Sequence, residues 1–153
     1  MPAFTGLGAP YWDPDARGAL LGLTRNTQIE HIVRAALEAV CYQTHDLLLA
    51  MQSDTEQEIQ SLRVDGGMTE NTWLLQCLSD INQIQVERPS CIECSALGAA
   101  MLSSIGVGFH STLNDCSQWW RPHSILSPVL GTDKQAELYQ GWKTAVKRIQ
   151  TTI

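Results

Sequence analysis

The chain has 153 residues, a formal net charge of −6, 44% hydrophobic residues and 17% charged residues. That length suits one domain, or a large piece of one, and is enough to bury a core; the apolar fraction excludes a disordered chain, which needs lower hydrophobicity and more charge. Ten Lys and Arg against sixteen Asp and Glu, with no basic run, exclude a nucleic-acid binder, because a phosphate backbone is met by clustered Lys and Arg.

The first stretch, Pro2 to Trp12, is rich in Gly, Pro and aromatics and lacks helical periodicity. Asp13-Pro14-Asp15 and Arg17-Gly18 carry turn chemistry. Ala19 to Thr24 is a short apolar run, which predicts a strand. Thr27-x-x-Glu30 has the form of a capping box, in which hydroxyl and carboxylate satisfy each other's free N–H groups. Behind it Ile29, Ile32, Val33, Leu37, Val40, Leu47, Leu48 and Met51 recur at helical spacing, predicting a long helix over 28–51. The polar residues from Ser53 to Gln60 read as a linker or a frayed helix end.

Leu62-Arg63-Val64-Asp65 predicts a short strand, broken by Gly66-Gly67. A helix over 72–81 follows, with Trp73, Leu74, Leu75, Leu78 and Ile81 as its apolar set. A second strand over 84–87 is stopped by Pro89, which has no N–H for a ladder. A small-residue helix spans 95–105. This strand–helix–strand–helix rhythm implies parallel pairing with a right-handed crossover, hence an α/β fold. The most apolar stretch, 96–107, is broken by Gly98, Ser103, Ser104 and Gly106 and falls short of the ~20 apolar residues of a membrane span. After Gly108 comes a polar loop with Trp119-Trp120, which either covers a packed edge or marks a contact surface. Thr132-x-x-Gln135 resembles a second capping box, and a last helix over 133–150 presents Ala136, Tyr139, Trp142, Val146 and Ile149 on one face. Its Lys143, Lys147 and Arg148 suit the negative end of the helix dipole.

The N-terminal residues have neither a basic stretch nor an apolar one, so no secretion signal is read there. Five cysteines, an odd number, then point to free thiols in a reducing, cytoplasmic compartment.

The sharpest local feature is Val64-Asp65-Gly66-Gly67-Met68-Thr69-Glu70-Asn71. In an open α/β sheet, ligands bind outside the carboxyl ends of the strands. Glycines there let backbone approach a ligand, and the following helix offers free N–H groups to a phosphate. The plainer alternative is a tight turn. No Lys-Ser or Lys-Thr follows, so this is not a P-loop. Asp65 reads more readily as a loop cap than as a metal ligand. Asn71 either meets a nucleotide or caps the next helix. Cys91-x-x-Cys94 has no second Cys or His pair at metal spacing and is weak evidence for zinc or redox chemistry. His31, His45, His110 and His123 share no motif, and no nucleophile signature is present.

Thirteen consecutive residues, Pro2-Ala3-Phe4-Thr5-Gly6-Leu7-Gly8-Ala9-Pro10-Tyr11-Trp12-Asp13-Pro14, resemble a signature stretch of the glycerol kinases within the FGGY carbohydrate kinases. The resemblance continues through Ala16-Arg17-Gly18, Gly22-Leu23-Thr24-Arg25, Ala36-Leu37-Glu38-Ala39-Val40 and Tyr42-Gln43-Thr44. It extends through Arg63-Val64-Asp65-Gly66-Gly67-Met68-Thr69, Val86-Glu87-Arg88-Pro89, Ala96-Leu97-Gly98-Ala99-Ala100 and Tyr139-x-Gly141-Trp142-Lys143. It implies a ribonuclease H-like domain of the actin and hexokinase ATPase type. Residues 1–153 would form the latter part of the C-terminal domain, incomplete at its N-terminal edge and without the N-terminal substrate domain.

The resemblance also implies ATP with Mg²⁺ and transfer of the γ-phosphoryl group to glycerol, the last held by the missing domain. The carried-over nucleotide residues are Gly67, through its backbone, and Asn71 on the adenine side, flanked by Gly66 and Met68. No residue matches a catalytic base or a glycerol ligand, so the isolated chain is expected to be inactive. The loop over 118–131 departs from the family pattern at Leu126-Ser127-Pro128. The alternatives are a non-catalytic interaction module and another sugar kinase of the family. Surface left bare by absent elements leads to the expectation of a homo-oligomer.

Overall fold

The structure, a computed structural model, describes residues 1–151. Helix α1 (Ile29–Thr55) leads to β1 (Ser61–Arg63), α2 (Thr72–Asn82), β2 (Gln85–Pro89), α3 (Cys94–Gly106), the short α4 (Leu113–Cys116), β3 (Pro122–Leu126) and α5 (Thr132–Ile149). The sheet order is β1-β2-β3. β1 and β2 are parallel, with Leu62 beside Val86, and α2 is their crossover. β3 runs antiparallel to β2, with Val86 beside Leu126, and the register slips between Arg88 and Pro89, where the ladder loses a donor.

The core forms where α2 presses Leu74, Leu75, Leu78 and Ile81 toward Val86, α1 and α5. Ala39, Cys41 and Tyr42 come from α1, Trp142 and Val146 from α5. The Tyr42 and Trp142 rings stack at 5.3 Å. Helices α2, α3 and α5 thus stand where the periodicity predicted them. Of the two parallel strands, β1 ends at Arg63, before Val64 and Asp65. β2 is not stopped by Pro89 but runs through it, because Pro89 sits opposite Pro122 at the slipped end of the ladder, where its missing N–H breaks the register rather than the strand. The polar run after Ser53 carries α1 on to Thr55, and Glu56 then takes a left-handed conformation.

Several expectations are corrected. Ala19 to Thr24 is not a strand: Ala19 alone pairs, its N–H donating to Met1 O (3.0 Å) and its carbonyl accepting from the Met1 amino group (2.9 Å), and Leu20, Leu21 and Leu23 are exposed. An apolar run becomes a strand only beside a partner, and beyond Ala19 none lies alongside this run among the described residues. The preceding segment is held instead by a pair of bonds between Leu7 and Asp13 and by the Asp13 side chain. Gly6 is obligatory at φ +94°, because a Cβ there would meet Asp13 O at 2.7 Å.

Thr27 does not cap α1. Its hydroxyl accepts the Thr24 N–H, while His31 Nδ1 accepts the Gln28 N–H. Nor does Thr132 cap α5: Gly131 is its cap residue, and Gln135 reaches across to Ile81 O at 2.8 Å. The buried face of α1 is Ala39, Cys41, Tyr42, Asp46 and Leu48. Of the expected apolar set, Ile29, Val33, Val40, Leu47 and Met51 are exposed. Ala136 of α5 is exposed as well. β3 occupies part of the stretch expected to be a loop over 118–131. Trp120 covers that side of the sheet, stacking on the Arg63 guanidinium at 4.0 Å. His31 and His45 sit apart on α1, with His45 packed edge-on against Tyr139.

Candidate functional site

Because β1 and β2 are parallel, their carboxyl ends share one edge of the sheet. The chain leaves β1 through Val64 and Asp65 and turns at Gly66-Gly67 into a single 3₁₀ turn, Gly67–Glu70. Gly66 has φ +84° and ψ 172°, a combination open essentially to glycine alone. Its N–H donates to Ile92 O at 3.1 Å, tying this loop to the one after β2. Its carbonyl accepts both the N–H (3.0 Å) and the hydroxyl (2.7 Å) of buried Thr69. Gly67 is exposed, and a Cβ placed on it would meet nothing within 4 Å. Backbone is therefore presented to open space on a loop that is itself pinned.

Two residues outside the predicted set do the pinning. Thr69 is one. Arg88 is the other: its guanidinium donates to Thr69 O (3.4 Å), Thr72 Oγ1 (3.3 Å) and Ser124 Oγ (2.9 Å). One side chain so joins β2, β3, the loop and the start of α2. The sequence signal for Thr69 was its place three residues after the first glycine. Arg88 had none beyond its family block, because its partners lie 16 to 36 positions away.

Asn71 caps α2, its Oδ1 accepting the Leu74 N–H at 3.1 Å. That leaves its exposed Nδ2 as the group that can meet a ligand. Met68 is 53% exposed and lines a hollow of about 300 Å³ with Val40, Thr44, Leu62, Val64 and Leu75. Gly66, Gly67 and Asn71 follow along the loop without lining that hollow. Asp65 does not cap the loop: it is exposed, and its carboxylate faces the Cys94 thiol. The loop thus offers backbone, one amide and one thioether, a set suited to a flat, uncharged ring system and its sugar rather than to chemistry. Among the described residues no three His, Cys, Asp or Glu side chains gather to hold a metal ion. No described helix is long and apolar enough to cross a membrane.

The buried carboxylates are structural. Asp46 on α1 is 3% exposed and accepts from Tyr11 OH (3.0 Å), Tyr139 OH (2.5 Å) and Trp142 Nε1 (2.7 Å). Partial burial first, and then this carboxylate, push both tyrosines well above the usual phenol range. Asp13 accepts the backbone N–H groups of Asp15, Ala16 and Thr151 and the Thr151 hydroxyl. Those donors, Thr151 foremost, hold its pKa down at about 2.

The sequence model of the FGGY family of carbohydrate kinases, C-terminal domain, matches residues 1–107. Glycerol kinase of Coxiella burnetii is 56% identical over 151 residues, which are 99% of this chain and 30% of that protein. Glycerol kinase of Alkaliphilus metalliredigens is 51% identical over 148 residues, 97% of this chain and 30% of that protein. Plasmodium falciparum glycerol kinase, solved with ADP, superposes with a TM-score of 0.86 at 35% identity, covering 99% of this chain and 30% of that one. Xylulose kinase from Rhodospirillum rubrum shares the fold, with a TM-score of 0.74 at 24% identity over 97% of this chain and 30% of its own. The chain spans about 30% of the length of these curated relatives.

Proposed function

Because the chain belongs to the FGGY family of carbohydrate kinases, as its C-terminal domain, we propose that it forms one wall of the adenosine site of a kinase that transfers the γ-phosphoryl group of ATP to glycerol. The fold is the family's ribonuclease H-like α/β domain. The observation that carries the reading is the pinned glycine loop at the carboxyl ends of two parallel strands, with Gly67 facing open space. Gly66 sets the turn, Gly67 admits the nucleotide to the backbone, Asn71 Nδ2 donates on the adenine side, and Met68 flanks the ring. Phosphoryl transfer depends on positioning and charge stabilisation; this chain contributes positioning. On this reading Mg²⁺ accompanies ATP and is bound by the complete enzyme.

Glycerol is favoured over a sugar as acceptor by the 51–56% identity to curated glycerol kinases and, among solved structures, by 35% to a glycerol kinase against 24% to the xylulose kinase. The 153 residues alone are expected to show no turnover with ATP, Mg²⁺ and glycerol in a coupled assay, since no catalytic base is matched here. Turnover above background would overturn that. Titration with ADP is expected to move the amide resonances of Gly66 and Gly67; still resonances at both would remove the site. The exposed stripe of Ile29, Val33, Val40, Leu47 and Met51 on α1 supports self-association. Light scattering that shows a monomer at high concentration would end that part of the reading.

A further inference from the structure

The turn that accepts the Gly66 N–H is itself bracketed by two thiols. Cys91 and Cys94 flank Ile92, whose carbonyl takes that N–H at 3.1 Å. Cys94 opens α3, and its Sγ lies 3.8 Å from the Cys91 carbonyl oxygen, folded back over the turn. Cys91 is exposed, and among the described residues no hydrogen bond holds its side chain. The turn is fixed from both sides, by Ser90 N–H to Arg121 O (2.9 Å) and by Leu97 N–H to Glu93 O (3.0 Å). The other cysteines differ: Cys41 and Cys116 are buried inside helices, and Cys77 is half-buried on α2.

We propose that Cys91 and Cys94 form a reversible dithiol–disulfide site, closed by exchange with a low-molecular-weight disulfide, and that closing it shifts the Gly66 turn through Ile92. The C-x-x-C spacing at a helix start lets two sulfurs meet across one turn. Partial burial and then the Asp65 carboxylate push the Cys94 thiol up, so the exposed Cys91 is the attacking sulfur. Its thiolate attacks one sulfur of oxidised glutathione, forming a mixed disulfide and releasing one glutathione thiolate. Cys94 then loses its proton to solvent and attacks the Cys91 sulfur, forming the internal bond and releasing the second glutathione. The two protein thiols are oxidised and the one glutathione disulfide is reduced. What closing does to a nucleotide rests on the proposed function above; the exchange itself does not.

The test is equilibration of the chain in glutathione buffers of rising oxidised fraction, followed by acid quenching, alkylation and peptide mass mapping. The expected product is an internal disulfide in the peptide carrying both residues, two hydrogens lighter and reversed by dithiothreitol, with Cys41 and Cys116 alkylated only after unfolding. In parallel, the Gly66 amide resonance is expected to move on oxidation of the wild type and to stay still in Cys91→Ser and Cys94→Ser. Two free thiols at every ratio, or a glutathione adduct on Cys91 that Cys94 never displaces, would overturn the site. An internal disulfide with an unmoved Gly66 amide would overturn its coupling to the loop.

Discussion

The Asp46 knot and the Gly66-Gly67 loop are both polar, and they are built in opposite ways. Asp46 is sealed: two phenols and an indole converge on one carboxylate from the N-terminal segment and α5. The loop spends its polar groups on fixing its own shape and leaves Gly67 and the Asn71 amide facing out. Saturated polar groups stabilise; groups held in place but left free can bind.

Asp46→Ala gives the largest expected effect. It strands three donors, two on half-buried rings and one on buried Trp142, and is expected to cost about 4 kcal/mol in urea unfolding. A loss under about 1 kcal/mol would show that the knot does not hold these elements together.

The two glycines then separate structure from binding within the loop. Gly66→Ala forces a side chain into a glycine-only conformation and is expected to cost about 1–3 kcal/mol. Gly67→Ala meets open space, so stability should hold while ADP affinity falls. Unchanged affinity in a stable Gly67→Ala would sink the role of that residue.

Asn71 divides the same way. Asn71→Ala removes the α2 cap and should cost about 1 kcal/mol. Asn71→Asp keeps the capping oxygen but loses the amide donor, so it should leave stability near wild type and still weaken ADP binding. If both variants bind ADP as wild type does, Asn71 is a cap and nothing more.

The last expected effect is one of pH and shows only in acid. The Asp13 carboxyl stays charged in the folded chain down to about 2, whereas its ordinary value is 3.8. The unfolded chain therefore takes up that proton first, and the Asp13 contribution, complete above 3.8, fades as the pH falls toward 2. Asp13→Asn is expected to flatten this part of the acid unfolding curve relative to wild type; identical curves would remove the role.

Helix α2 and the parallel pair were legible because their signals are local: a period of 3.6, two short apolar runs, and glycines between them. Asn71 illustrates the border. Its type and place before a helix marked it for both capping and binding, and the structure shows the cap while leaving the amide free. Thr27 and Thr132 failed as caps because several oxygens compete for the same N–H groups, and the winner depends on how the preceding turn is folded. The N-terminal block carried a family resemblance but not its own geometry, which joins the local Leu7–Asp13 pair to a contact from Asp13 to Thr151 at the other end of the chain.

By itself the sequence determined the family, the helices α1, α2, α3 and α5, the β1–α2–β2 unit and the glycine loop, since each rests on spacing or on a long ordered block of identities. Tertiary structure alone decided which face of α1 is buried, that the run over 19–24 lacks a partner, that β3 joins β2, and that Arg88 and Thr69 lock the loop. Those outcomes depend on which groups meet across tens of residues, and burial is a property of the meeting rather than of either residue.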